Sequence, residues 1–109
     1  MVSLGLGAMV LGIENQALGS LSQAFGYQNL AAGDFSHVEG RDNKAGYGAH
    51  AEGWGNQALG RLSHAEGSDT KSLALAAHPE GSETEATGSS SHAEGYKTKA
   101  NGNISHAQG

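Results

Sequence analysis

The chain has no cysteine and a single proline, Pro79, among its 109 residues. No disulfide and no thiolate metal site can therefore hold it together. Bulky apolar side chains are scarce, with two Phe, two Met and one Trp. The hydrophobic share of 37% has alanine as its commonest member. A lone compact globule would have too little bulk to bury against the entropy of ordering the chain. A thin solenoid of small residues, completed by oligomerisation, fits this composition better.

Basic residues are also few. Six Lys and Arg face eleven Asp and Glu, for a formal charge of −5. They form no cluster, which argues against nucleic acid as a partner. No run is long and apolar enough to span a bilayer, so no direct membrane insertion is expected. Residues 1–12 lack the basic flank of a signal peptide. Ser3, Gly5, Ala8, Val10 and Gly12 obey instead the repeat described next.

Glycine is abundant, with 18 residues, and much of it is periodic. Ser-His-Ala-Glu-Gly stands at 63–67 and 91–95, with near-copies at 36–40, 49–53, 77–81 and 105–109. Its closing glycines are Gly12, Gly26, Gly40, Gly53, Gly67, Gly81, Gly95 and Gly109. The step is fourteen residues, except for thirteen between Gly40 and Gly53. Such a period marks a one-dimensional stack of equivalent units. The chain starts and stops inside the repeat without capping units, so the expectation is one β-roll domain over 1–109, cut from a longer fibrous protein.

Each unit follows G-x-x-N/T-x-A-x-G-x-x-S-x-A-x-G. Small residues alternate in two series, Ala17/Gly19 through Ala100/Gly102 and Ser22/Ala24 through Ser105/Ala107. Period two means strands with these residues on the inner face. The reading is all-β, with two strands per coil, about eight coils, and a rod roughly 35–40 Å long. The closing glycines are assigned to tight turns that need positive φ. Asn15, Asn29, Asn43 and Asn56 are assigned to turns that tolerate left-handed φ and to side-chain ladders between coils. The short unit predicts a local turn change near Gly46–Gly48. Pro79 removes a ladder donor and predicts a weaker coil at 77–81.

The outward positions of S-x-A-x-G form two columns. The first reads Met9, Gln23, His37, His50, His64, His78, His92 and His106. The second reads Leu11, Phe25, Glu39, Glu52, Glu66, Glu80, Glu94 and Gln108. Other outward slots vary freely: Leu18, Ala32, Leu59, Leu73, Thr87 and Asn101 share one. A face held uniform while its neighbours vary is a face that meets something. Its apolar start at Met9, Leu11 and Phe25 points to burial.

With these residues in view, S-x-A-x-G-x-x-x-x-A-x-G-x-x-S resembles the head repeat of trimeric autotransporter adhesins, the YadA-like head. Ala-Met-Val-Leu-Gly at 8–12 lies nearest its usual apolar form, and Ser-His-Ala-Glu-Gly is similar to a variant in phage tail and other fibrous surface proteins. The resemblance spans all 109 residues. It implies a left-handed parallel β-roll whose S-x-A-x-G strands line the axis of a homotrimer. It also implies attachment to a host surface or matrix ligand, at the cell surface or on a virion tail fibre. Both columns, Met9/Leu11 through His106/Gln108, would then face the three-fold axis. The departure is the His and Glu in place of Val and Ile.

Three readings of that axis follow. His and Glu of three subunits can pair with each other and specify register. Charged His so paired would have raised pKa values and stabilise most at low pH. Alternatively, the histidines converge on a transition metal or chloride, although no cofactor is required by the sequence. Stability would then fall as metal is lost in acid. Catalysis fits poorly, because six equivalent pairs on a rod offer no unique pocket or nucleophile, and no enzyme is expected. The calcium nonapeptide G-G-x-G-x-D is absent, and Gly-x-Gly at 5–7, 46–48 and 53–55 fits turns better than a phosphate loop. Regular outward Thr or aromatic ladders for a carbohydrate- or ice-binding array are also missing. Trp54, Tyr27, Tyr47 and Tyr96 are placed on the outer rim as ordinary surface aromatics.

Overall fold

A computed structural model of the chain describes residues 2, 3 and 5–109; Met1 and Leu4 lie outside the described residues. Short and long strands alternate: β1 (Val2–Ser3), β2 (Met9–Ile13), β3 (Gln16–Ala17), β4 (Gln23–Tyr27), β5 (Leu30–Ala31), β6 (His37–Arg41), β7 (Lys44–Ala45) and β8 (His50–Trp54). The series continues with β9 (Gln57–Ala58), β10 (His64–Ser68), β11 (Lys71–Ser72), β12 (His78–Ser82), β13 (Glu85–Ala86), β14 (His92–Tyr96), β15 (Lys99–Ala100) and β16 (His106–Gln108). The odd strands form one eight-stranded sheet and the even strands another. Every pairing is parallel and joins a strand to its equivalent one repeat away, so Gly26 faces Gly40 and Ala65 faces Ala51. The fold is a β-solenoid of about seven turns. The expectation of eight counted closing glycines, and eight glycines bound seven steps.

The slab measures 37 × 20 × 10 Å, in keeping with the length expected from the coil spacing. Its thinness follows from its core. Ala17, Ala31, Ala45, Ala58, Ala86 and Ala100 point inward from the short strands, opposite Ala24, Val38, Ala51, Ala65 and Ala93 from the long ones. Val38 is the largest fully buried side chain among the described residues. Sixteen large hydrophobic residues among those described, by contrast, are exposed. Apolar burial within one chain is therefore small, and hydrogen bonding along the stack carries much of its order.

Two backbone assignments need correction. The closing glycines lie inside the long strands, not in turns, with φ between +110° and +122° from Gly12 to Gly95. The reason is steric as well as torsional: a Cβ at Gly67 would overlap the carbonyl oxygen of Gly81 in the next coil. The asparagines do not take left-handed φ. The preceding residue does, as at Glu14, Gln28 and Asp42. A second left-handed slot, at Leu21, Phe35, Leu62, Ala76, Ser90 and Ile104, lies near the end of the other link. Gln16, Lys44 and their equivalents start the short strands.

The asparagine ladder is present. The Asn29 side-chain amide donates to the carbonyls of Phe25 (2.8 Å) and Gly40 (2.9 Å), and to Asn15 Oδ1 (3.0 Å). The Asn29 backbone N–H also donates to Asn15 Oδ1. Beyond Asn56 the ladder changes. Thr84 and Thr98 donate to carbonyls of their own coil, Glu80 and Glu94.

The thirteen-residue unit deforms locally without breaking. Its missing residue is the outward one between Ala45 and Gly46. Gly46 N–H donates to Ala58 O at 2.8 Å, the bond that Ala32 N–H makes to Ala45 O one coil earlier. Pro79 shortens its ladder as expected: β10 and β12 pair only from Glu66↔Glu80, whereas β12 and β14 pair from His78↔His92. The same coil has moved its serine. Ser72 fills an alanine slot and donates to Ala77 O, because Ala77 fills the slot of Ser63 and Ser91.

Candidate functional site: the histidine–glutamate face

Strand alternation puts residues one and three of each long strand on one outer face. In-register pairing then stacks like on like. Met9, Gln23 and the six histidines form one column; Leu11, Phe25, the five glutamates and Gln108 form the other. All sixteen positions singled out in the sequence share this face. The histidines and glutamates from His37 to Glu94 are half-buried, while Met9, Leu11, His106 and Gln108 are exposed.

The imidazoles make a continuous stack. Ring centroids lie 4.6 Å apart for His50–His64 and His64–His78, 4.9 Å for His78–His92 and 4.8 Å for His92–His106, with planes within 10°. His37 departs, tilted 46° from His50 at 4.7 Å. Phe25 caps it edge-on at 5.6 Å. Each Nε2 from His50 to His92 sits between two carboxylates, that of its own coil and that of the preceding one. His50 lies 3.7 Å from Glu52 and 3.8 Å from Glu39. Toward the C-terminus the second distance closes to a hydrogen bond: His78–Glu66 3.3 Å, His92–Glu80 3.2 Å and His106–Glu94 3.3 Å.

The pairing does not raise the central histidine. The His78 imidazole is held below its ordinary value, first by burial and then by His92, against the pull of Glu80 and Glu94. The Glu80 carboxyl is held down to about 2, chiefly by hydrogen bonding with the flanking Glu66 and Glu94 carboxyls, then by His92 and His78. His64 stacks on the other face of His78 and completes its titratable surroundings. A depressed histidine binds its proton less readily folded than unfolded, so stability falls as pH drops below about 6.5. A depressed carboxyl adds stability above about 4.5 that is lost as pH falls toward about 2. Both signs agree. The melting temperature should be higher at about pH 8 than at about pH 5, and fall further below about pH 4. A higher melting temperature at pH 5 would contradict this balance. Within the single chain, burial outweighs the glutamates at His78.

Four groups on this face bring three metal-type donors within 4.8 Å of one another: His37/Glu39/His50, His50/Glu52/His64, His64/Glu66/His78 and Glu80/His92/Glu94. Their nitrogen and carboxylate donors suit zinc-class ions. A groove runs beside the carboxylates, floored by Gly40, Gly53, Gly67, Gly81 and Gly95.

Two features were not read from the sequence. Arg41 lies between aromatic rings of both neighbouring coils, 5.3 Å from Tyr27 and 5.1 Å from Trp54. The three share one slot after the closing glycine, so stacking was their only available signal. Leu21 and Phe35 stand exposed side by side in the left-handed slot, and Leu62 follows beyond Gly48. Glycine at positions 7 and 48 of that slot was the clue to its conformation. The four rim aromatics are exposed, as expected.

No protein-family model matches this sequence, and no curated protein does.

Proposed function

We propose that this chain is a head or shaft segment of a trimeric surface fibre that mediates attachment, in the manner of a bacterial adhesin or a phage tail fibre. Three chains pack as left-handed β-rolls with their histidine–glutamate faces on the three-fold axis. The observation that carries this reading is the contrast between that face and the rest of the rod. It keeps histidine through six successive repeats and glutamate through five, is continuous with exposed Met9 and Leu11, and is attached to a core of alanine. A slab that buries so little apolar area in itself gains most from a second surface to cover.

On the axis, histidines and glutamates of three chains satisfy each other and fix the register. The role is architectural: a stiff rod that spaces and presents binding surfaces to a host surface or matrix ligand. It belongs at a cell surface or on a virion. Neither enzymatic activity nor a required cofactor is part of this reading.

Light scattering of the purified chain tests it. The expected mass is three times the 11.0 kDa of one chain. A monomer at micromolar concentration removes the axial arrangement. Glu66→Leu at the centre of the face should shift the assembly toward dissociation or altered register, because it removes one of the two carboxylates beside both His64 and His78. Adsorption to host cells or matrix proteins then tests attachment itself.

A further inference from the structure

We propose that the N-terminal end of the histidine column holds one divalent transition-metal ion of the zinc class, bound by His37, Glu39 and His50 of a single chain. The column changes character along its length. His78, His92 and His106 spend their Nε2 atoms on hydrogen bonds to glutamate. The Nε2 atoms of His37, His50 and His64 are shielded from solvent and have no hydrogen-bond partner. Shielded polar atoms are normally satisfied, so an unmet cluster of them points to a missing partner.

The geometry at His37 fits such a partner. Glu39 reaches toward both rings, with Oε2 3.7 Å from His37 Nε2 and Oε1 3.8 Å from His50 Nε2. These separations are too long for hydrogen bonds. Ligand atoms about 2.0–2.2 Å from a tetrahedral zinc ion lie about 3.3–3.5 Å from one another. A contraction of a few tenths of an ångström would bring Glu39 to that spacing from each ring, and the donor atoms of all three residues already lie within 4.8 Å of one another. Ring orientation selects this cluster over the next two. Parallel imidazoles direct their lone pairs side by side, and His50, His64 and His78 are parallel within 10°. The His37–His50 pair alone departs widely from parallel, by 46°. Phe25 closes the N-terminal side of the cluster against His37.

Two neutral imidazoles and a carboxylate suit zinc, nickel, cobalt or copper and are a poor set for magnesium. Three protein donors leave a fourth position for water or an anion. All three donors come from adjacent coils of one chain, so the site stands whether or not the rod trimerises.

The test is calorimetric titration of the chelator-treated full chain with zinc chloride, with magnesium as control. One zinc per chain is expected, with a raised melting temperature and no magnesium uptake. His37→Gln and Glu39→Gln should each weaken zinc binding at least about tenfold. Both substitutions keep the fold, since Gln23 and Gln108 already occupy those slots, and an unchanged metal-free melting temperature verifies it. His92→Gln should leave zinc binding intact. Absence of zinc uptake overturns the proposal. So does an equal loss in His92→Gln, which would mean diffuse binding along the column, and so does one zinc per three chains indifferent to Glu39→Gln.

Discussion

Gly67→Ala is expected to abolish cooperative folding of the rod. Gly67 sits in the middle of β10 with φ at +114°, a region that costs alanine about 1–3 kcal/mol. The larger penalty is contact. The new Cβ would overlap the carbonyl oxygen of Gly81, whose distance is fixed by the ladder joining β10 to β12. Relief requires parting two coils, and each coil is stabilised only by its neighbours. The combined cost reaches about 5 kcal/mol or more, comparable with the whole stability of a small domain. Circular dichroism should show loss of the sheet signal, with the protein in aggregates or degraded. Gly102→Ala is the control. Its φ is ordinary, and a Cβ there meets Ser105 Cβ at a comfortable 3.6 Å. That variant should melt within a few degrees of the parent. Equal behaviour of the two would show that inter-coil spacing does not constrain the closing glycines.

The repeat made the fold legible because periodicity reports register directly. Once Gly26, Gly40 and Gly53 are equivalent, parallel pairing places them side by side, and the pairing does so. Alternation revealed the alanine core for the same reason: small residues at period two have one inner face. Backbone conformation was less legible. Leu21, Phe35 and Leu62 take left-handed φ although nothing in their side chains asks for it. Position in the coil imposes the torsion, and local propensity is overridden. Closing glycine was assigned to a turn because a turn is glycine's commonest use; its actual cause, a neighbouring carbonyl, exists only after stacking. The candidate face was legible as two columns. Its internal gradient was not, because identical Ser-His-Ala-Glu-Gly peptides cannot differ by themselves. The difference between His64 and His92 arises from ring and carboxylate placement along the stack.

Asn43→Ala should be the most damaging change among side chains that lie outside the alanine core. Asn43 is fully buried at the centre of the asparagine ladder. Its amide donates to Glu39 O at 2.8 Å and Gly53 O at 2.9 Å, and its Oδ1 accepts the Asn56 backbone N–H at 2.9 Å. Alanine would leave these three groups without those partners in a space too tight for water to enter freely. At about 1–3 kcal/mol for each, the loss is roughly 3–9 kcal/mol. A graded series separates this from a packing effect. Asn43→Thr should cost least, because Thr98 in the same slot still donates to the carbonyl four residues back, at 2.9 Å. Asn43→Asp should cost more than alanine despite its matching shape, because a carboxylate cannot donate to either carbonyl and is itself buried. Urea unfolding should therefore rank the parent above Thr, Thr above Ala, and Ala above Asp. A packing effect would instead place Asp near the parent. If Ala lies within about 1 kcal/mol of the parent, the ladder is ornamental and the backbone pairing alone holds the coils in register.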